Sequence, residues 1–220
     1  DTKWNSPENA ITMSAGTIAG ITQYGGTGKC LVCSISPMTD IPIDSNVGGY
    51  FGPFLKFSGF DVIELTGKAE EDVIIVIDGN KGTVSIEKAP LEHKDAHVLG
   101  EELTTMYAED DNDRKNVAVV CSGSAADHCN LSMLNFTFYD PKRNVVRLKQ
   151  AGRGGIGRVF ADKHIKALVC HFKGVKANLN HVYDISILNR DGLKFHREVA
   201  TQDDKQNSMR KSGTAYSLRI

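Results

Sequence analysis

The sequence lacks any run of about 20 apolar residues, the length that a helix needs to cross a bilayer. Its opening residues, Asp-Thr-Lys-Trp, do not form a signal peptide, and no initiator methionine precedes them. We therefore expect the sequence to begin inside a longer gene product or after processing, with a segment missing before it. The five cysteines are an odd number, which argues against the disulfide framework of a secreted protein. These absences predict a soluble, cytoplasmic protein without a membrane span.

A large net charge is also absent, because 26 basic and 27 acidic residues give a formal charge of -1. The molecule as a whole presents no broad positive field to attract nucleic acid or anionic lipid, so any anion has to be bound locally. Hydrophobic residues make up 40% of the 220, which is enough for a sizeable core. We expect one large domain or two small ones.

Short apolar runs rich in valine and isoleucine, separated by glycines, predict strands along much of the chain. The predicted strands are residues 10–15, 31–35, 61–65, 73–77, 83–86, 117–120, 144–148 and 167–171. Residues 78–82, Asp-Gly-Asn-Lys-Gly, predict the turn of an antiparallel hairpin. Apolar residues spaced by three and four predict helices at 52–58, 98–107 and 158–167. The pattern therefore predicts an α+β domain with much sheet.

Two polar segments lie outside this pattern. Residues 109–113 carry four carboxylates among five residues, which favours a solvated loop over a metal site. The apolar periodicity weakens after residue 171. Residues 202–212 are polar and charged enough to predict a mobile connection or an arm over a neighbour.

Residues 152–157, Gly-Arg-Gly-Gly-Ile-Gly, match the G-x-G-x-x-G pattern and lie between a predicted strand and a predicted helix. That context suits a phosphate at a helix N-terminus, and Arg153 adds a fixed positive charge beside it. A nicotinamide dinucleotide site also requires an acidic residue about 20 positions further on. Residues 171–183 contain none. The motif therefore favours a different phosphate-bearing cofactor, with a plain glycine turn and a dinucleotide site as the alternatives.

Residues 25–30, Gly-Gly-Thr-Gly-Lys-Cys, resemble a P-loop but depart from it twice. Gln23 stands where the first glycine belongs, and Cys30 replaces the serine or threonine that would hold magnesium. These departures argue against a P-loop NTPase. What remains is a glycine loop with one cation, Lys29, which fits either a surface turn or a phosphate contact.

Cys30 and Cys33 have the spacing of half a zinc or redox site. They lie in a predicted strand, where residues three apart face opposite sides, so a single site cannot easily use both. Other candidate metal ligands match no standard spacing, and buried thiols or core histidines explain them better. These candidates are His128, Cys129, Cys170 and His171.

Several longer segments together resemble the tungsten-containing aldehyde:ferredoxin oxidoreductase family. The agreement extends over about residues 6–172, with a fainter match at 213–215, and the combination is more specific than any single motif. The matching segments are Ser-Pro-Glu-Asn at 6–9, Ser-Pro-Met-Thr at 36–39, Gly-Gly-Tyr-Phe-Gly at 48–52, Leu-Lys-Phe-Ser-Gly-Phe-Asp at 55–61, Gly-Lys-Ala-Glu at 67–70, Ala-Gly-Arg-Gly-Gly-Ile-Gly at 151–157 and Lys-His-Ile-Lys-Ala at 163–167.

The resemblance implies a fold and a cofactor. The fold is α+β, with two packed, mainly antiparallel or mixed sheets and flanking helices that form a base for two pterin dithiolenes chelating tungsten or molybdenum. A magnesium ion would bridge the pterin phosphates and take backbone carbonyls from Asn46 and Gln150. Residues 1–175 would form this cradle, and residues 176–220 would connect it to a helical, cluster-binding part.

The resemblance assigns further residues to the cofactor site. Gly48, Gly152 and Arg153 would line the pterins. Lys29 and Lys149 stand where the family usually has arginine, and a lysine gives a point charge where arginine offers a planar, bidentate fork. Residues 124–128, Ser-Ala-Ala-Asp-His, replace a Pro-Ala-Gly-Glu-Asn turn of the family.

The resemblance also implies a reaction and partners. The enzyme would oxidise aldehydes, or related carbonyl or acyl compounds, and pass electrons through an iron-sulfur cluster of the 4Fe-4S type to ferredoxin or another carrier. The family's cluster cysteines and acid-base residues lie beyond this sequence, so a C-terminal portion or a separate subunit would supply them in a homo- or hetero-oligomer. The alternative is a non-catalytic scaffold subunit that kept the fold and lost the cofactor.

Overall fold

The computed structural model describes residues 2–90, 92, 95–174, 180–202 and 209–218. These residues form two sheets with flanking helices. The strands are β1 Ile11–Ala15, β2 Cys30–Ile35, β3 Pro42–Val47, β4 Val62–Leu65, β5 Val73–Asp78, β6 Thr83–Lys88, β7 Val117–Cys121, β8 Leu134–Asp140, β9 Val145–Ala151 and β10 Ile165–His171. The helices are α1 Phe51–Phe57, α2 Ala96–Tyr107, α3 Ile156–Asp162, α4 Ile185–Thr201 and α5 Met209–Ser212. Short 3₁₀ segments span Asp113–Asn116, Ser124–Asp127 and Gly213–Leu218.

The first sheet contains four antiparallel strands in the order β3-β2-β1-β4. Its strands alternate between buried and more exposed side chains, as expected where one face of a sheet covers a core. In β1 the buried set is Ile11, Met13 and Ala15. Strand β3 forms one edge of this sheet.

The second sheet contains six strands in the order β6-β5-β10-β7-β8-β9. Strands β5 and β10 run parallel, and the other neighbouring pairs are antiparallel. Every residue of β7 is buried, because the strand lies in the interior of a sheet that packs on both faces. Strand β9 forms one edge. The two sheets and their helices confirm the predicted α+β class.

The main core lies between the sheets, and helix α1 contacts strands of both. The rings of Phe51 on α1 and Phe136 on β8 meet edge-on, with centroids 5.7 Å apart. A second, smaller core lies beneath α2, where Leu99 and Leu103 join Val119 of β7. Helix α1 therefore fixes the two sheets relative to each other, close to the glycine segment that precedes it.

The sequence located most strands within one to three residues, including the antiparallel pair around residues 78–82. Asp78 accepts hydrogen bonds from the backbone N–H groups of Asn80 and Lys81, and Gly82 takes φ of +67°. These features explain why a turn rich in Asp, Asn and Gly forms there. Strands β3 and β8 were not predicted from the sequence.

The predicted helix 158–167 was wrong at its C-terminal end. Helix α3 covers Ile156–Asp162, and β10 starts at Ile165. Between them, His164 takes a left-handed φ of +58°. An L-residue in that conformation cannot continue a right-handed helix, so the apolar run after it becomes a buried strand.

The predicted solvated loop 109–113 was wrong at its last residue. Asp113 is buried, and its carboxylate lies 2.9 Å from Nε2 of His171 at the end of β10. Burial alone would raise the pKa of Asp113, but hydrogen bonds from the Asn116 side chain and the Glu109 N–H, together with the charge of His171, lower it below its usual value. The other four residues of the loop are exposed.

Helix α4 was not predicted from the sequence. It begins after Asp184, whose carboxylate accepts hydrogen bonds from the N–H groups of Ser186 and Ile187. No helix within the described ranges is both long enough and apolar enough to cross a membrane. The predicted boundary after residue 175 falls outside the described residues, as do 203–208 of the predicted connection 202–212.

Candidate functional site

The edge strands β3 and β9, one from each sheet, contact each other. The backbone N–H of Arg153, just past the end of β9, donates a hydrogen bond to Oγ of Ser45 on β3 at 3.1 Å. The glycine segments that follow these strands are residues 48–49 and 152–155. Both segments therefore begin within a few residues of this contact.

The central glycines of the second segment are required for packing. A Cβ atom on Gly154 would overlap the side chain of Ile43, and one on Gly155 would overlap the backbone carbonyl of Asn130. Both glycines have positive φ, +73° and +67°. Gly155 is buried at the start of the seven-residue helix α3, so the anion predicted at that helix N-terminus has no access through it. The accessible part of the motif precedes these glycines.

The glycine loop at residues 25–30 packs against residues 48–52, which follow β3. A Cβ atom on Gly28 would lie 3.1 Å from the carbonyl oxygen of Gly49, and one on Gly52 would lie 3.2 Å from that of Lys29. By contrast, a Cβ atom on Gly48 would meet no atom within 4 Å. Gly48 is therefore a position where a ligand could approach the backbone, as are Gly25 and Gly26 in the preceding loop.

The register of the first sheet groups three predicted site residues. Cys30 pairs with Val47, so Lys29 and Gly48 occupy the next positions beyond that pair. Asn46 lies one residue earlier on β3 and is exposed, as is Lys29. Because β3 is an edge strand, part of its backbone carbonyl groups lack sheet partners and can accept a ligand.

The register of the second sheet places Lys149 and Gln150 on β9, the edge strand that contacts β3. Lys149 pairs with Phe136, and Gln150 pairs with Asn135. Both residues of β9 are exposed. A Cβ atom on Gly152 would meet only the sulfur of Met133, at 3.5 Å. The structure therefore brings the two predicted loops together in space, with accessible backbone on each.

Lys149 has an aromatic contact that the sequence did not indicate. Its Nζ lies 5.6 Å from the ring centroid of Phe138, and Cζ of Arg147 lies 5.7 Å from the same ring. Tyr50, next to the glycines after β3, meets that ring edge-on at 5.9 Å. A ring face attracts cations, so Phe138 keeps two positive charges on the side of β9 that faces the first sheet. The cross-strand pairing of Phe136 with Lys149 and of Phe138 with Arg147 establishes this shared face.

The β9 region is strongly basic. Residues 141–161 contain six lysines and arginines and no acidic residue. Asp140, just before this stretch, accepts from Arg143 at 2.7 Å and lies 3.4 Å from Arg147. Among the described residues, none forms an ion pair with Lys29, Lys149 or Arg153. A chain with little net charge thus concentrates cations at the edge where the glycine segments meet.

The cysteines face different environments. Cys30 points into the core, whereas Cys33 lies on the other side of β2, as the spacing of three along a strand predicts. Burial raises the pKa of the Cys30 and Cys170 thiols to about 12. Cys129 is exposed, whereas Cys170 is buried. Within the described ranges there is no group of three or more His, Cys, Asp or Glu residues that could hold a metal ion.

A cleft of about 400 Å³ opens beside the glycine loop at 25–30 and the glycine segment at 48–49. Its lining includes Gly28 and Gly49 and the aromatic side chains of Tyr50, Phe54 and Tyr139. The residues of the second glycine segment do not line it. The cleft therefore adjoins the glycine segment at 48–49 but not the one at 152–155.

Residues 1–172 match the sequence profile described as "Aldehyde ferredoxin oxidoreductase, N-terminal domain". The chain belongs to the aldehyde ferredoxin oxidoreductase family. The match confirms the resemblance inferred from the glycine and proline segments. It ends one residue past β10, so helix α4 lies beyond the aldehyde ferredoxin oxidoreductase profile.

Curated relatives in the aldehyde ferredoxin oxidoreductase family carry the name "Tungsten-containing aldehyde ferredoxin oxidoreductase". The protein from Pyrococcus furiosus is 33% identical over 168 residues. The protein from Pyrococcus horikoshii is 35% identical over 164 residues. Each alignment covers 74% of this chain and 24% of the relative. The chain thus spans about a quarter of the length of the curated relatives it matches.

A solved structure is similar to the aldehyde ferredoxin oxidoreductase domain described here. It is the active site complex BamBC of benzoyl coenzyme A reductase in complex with 1,5-dienoyl-CoA. The TM-score is 0.62 at 26% sequence identity, and the match covers 77% of this chain and 24% of that one. The similarity supports the two-sheet architecture.

Proposed function

We propose that this chain is the pterin-cofactor-binding part of a tungsten or molybdenum oxidoreductase that oxidises aldehydes or related carbonyl or acyl compounds. The observation that supports this most is the contact between the two edge strands, together with the hydrogen bond of 3.1 Å from Arg153, just past β9, to Ser45 on β3. Two glycine segments distant in sequence thereby reach one place. The names of the relatives supply the metal and the substrate class in this proposal.

The residues present fit a doubly phosphorylated pterin cofactor. Gly48 has open space where a side chain would be, and Gly152 meets only one sulfur at ordinary contact distance, so flat rings can approach both backbones. Magnesium prefers hard oxygen ligands. In the proposal, the backbone carbonyls of Asn46 and Gln150 provide two of them, from the edge strands of the two sheets.

Three cations would balance the charge of the phosphates. Lys29, Lys149 and Arg153 are exposed and have no ion-pair partner among the described residues. Each charge-assisted hydrogen bond to phosphate contributes about 1.5–3 kcal/mol. Arg153 can bind in a bidentate manner, while the two lysines act as point charges.

When bound, the metal-pterin group supplies two-electron redox chemistry. This chain would position the group and compensate its charge. Because the chain spans about a quarter of its relatives, we assign the iron-sulfur cluster and the acid-base residues to a C-terminal portion or a separate subunit. Electrons would leave through that cluster to ferredoxin or another carrier, in a cytoplasmic oligomer.

A non-catalytic scaffold is the second candidate, favoured by the lysines at positions 29 and 149 where the family usually has arginine. Metal and pterin analysis of the purified, fully assembled complex separates the two. Tungsten or molybdenum near one atom per chain, with pterin, supports the enzyme. Fully assembled material without either contradicts it and supports the scaffold.

A further inference from the structure

Ser45 is a buried polar residue in the middle of an edge strand. Its side chain is on β3, opposite Val32, and only 1% of the residue is exposed. The residue after next, Val47, is equally buried and apolar. A hydroxyl costs free energy in such a place unless it is hydrogen-bonded. Here the oxygen accepts the backbone N–H of Arg153, from the other sheet.

This hydrogen bond links the two loops close to the proposed ligand groups. Asn46 directly follows Ser45, and Gln150 lies three residues before Arg153. Next to this hydrogen bond, Gly154 of the loop after β9 packs against Ile43 of β3. That apolar contact has no preferred direction, whereas a hydrogen bond constrains both distance and angle.

We infer that Ser45 is a positioning residue, whose hydroxyl fixes the separation between the Asn46 and Gln150 carbonyls. This rests on the proposed function, because the carbonyls matter as a pair only where one magnesium ion takes both. Magnesium requires nearly ideal octahedral geometry with ligands at about 2.0–2.1 Å. A small displacement of one loop therefore weakens binding more than it weakens the fold.

The matched comparison is a second buried serine on the neighbouring strand. Ser34 on β2 donates its hydroxyl to the carbonyl of Ala10 at 2.9 Å and lies 3.3 Å from Oδ1 of Asn9, both just before β1 of the first sheet. Its loss removes a buried hydroxyl without touching the second sheet. Ser45→Thr keeps a hydroxyl at the inferred position and tests for rescue. If the extra methyl group of threonine prevents folding, the comparison of Ser45→Ala with Ser34→Ala is sufficient to test the inference.

The experiment uses the full-length enzyme or the assembled complex, expressed with tungstate. Metal and pterin per chain are measured together with hydrogen exchange of the peptide that contains Arg153. Ser45→Ala should lower the ratio of loaded to empty enzyme about tenfold, which corresponds to about 1.4 kcal/mol. It should also speed exchange at residues 152–154 in empty protein. Ser45→Thr and Ser34→Ala should resemble the wild type in both measurements.

The outcomes separate this inference from the proposed function. Full cofactor content in Ser45→Ala overturns the positioning role and leaves the proposed function intact. Equal losses in Ser45→Ala and Ser34→Ala also overturn it, because they indicate a general loss of stability. Wild-type protein without metal and pterin contradicts the proposed function, and the positioning role with it.

Discussion

Gly154 lies against Ile43 so closely that a Cβ atom at position 154 would overlap the isoleucine side chain. This contact joins the glycine segment after β9 to the edge of the other sheet. We predict that Gly154→Ala destabilises the protein by about 2–5 kcal/mol, because the left-handed backbone and the overlap both oppose a methyl group. Thermal or urea unfolding measures the effect.

The control for this prediction is Gly16→Ala. No atom lies within 4 Å of a Cβ at Gly16, and its φ is not positive. We expect its unfolding free energy to change by less than about 1 kcal/mol. A Gly154→Ala protein as stable as Gly16→Ala would show that the two sheets do not meet here as described.

Arg153→Ala should lower cofactor occupancy in the assembled enzyme. The substitution removes the one guanidinium of the second glycine segment but keeps the backbone N–H that bonds Ser45. Loss of a charged hydrogen bond of about 1.5–3 kcal/mol should reduce the ratio of loaded to empty enzyme more than tenfold. Elemental analysis and pterin fluorescence measure it.

Arg143→Ala is the matched control for that substitution. Arg143 belongs to the same basic stretch but pairs with Asp140 at the turn between β8 and β9. It should retain the wild-type cofactor content. Unchanged metal and pterin in Arg153→Ala would contradict the assignment of Arg153 to the site.

The buried carboxylate of Asp113 should make the free energy of unfolding fall as the pH decreases through the acid range. Its pKa is lowered in the folded state, so its contribution is fully present above the unfolded value of about 3.9 and is lost as pH falls through the folded pKa. Asp113→Asn should flatten the loss of unfolding free energy in this acid range. Asp111→Asn, which removes an exposed carboxylate of the same loop, should not. Identical pH profiles for Asp113→Asn and the wild type would contradict the predicted linkage.

The buried cysteines should resist alkylation in the folded protein. Burial raises the pKa of Cys30, Cys121 and Cys170 to about 12, so almost no thiolate forms at pH 8. Mass spectrometry after brief iodoacetamide treatment should find these three unmodified and exposed Cys129 labelled in the isolated chain. Rapid labelling of Cys121 or Cys170 before unfolding would contradict the described core.

Much of the fold followed from local sequence signals, and the failures have physical causes. Strand β3 was missed because an edge strand with polar residues such as Asp44 and Asn46 lacks the apolar run of a central strand. The end of α3 was missed because His164 gives no sequence signal for its positive φ. Both depend on neighbours that only the folded chain provides.

The candidate site was also predicted only in part from the sequence. The glycine spacing and the family resemblance located both loops, since glycines that permit close backbone approach leave a visible pattern. The sequence did not reveal that Ser45 would meet Arg153, because that hydrogen bond spans 108 positions. It also gave no reason to expect Lys149 over the ring of Phe138, which requires the register of β8 and β9.

The proposed cofactor site is tested most directly by a crystal structure of the assembled enzyme loaded with its cofactor, with the metal located by anomalous scattering. We predict a pterin cofactor between the glycine segments at 48–49 and 152–155. We also predict a magnesium ion about 2.0–2.1 Å from the backbone carbonyl oxygens of both Asn46 and Gln150. A cofactor bound elsewhere, or a bound cofactor with no cation between these two carbonyls, would contradict the proposed site.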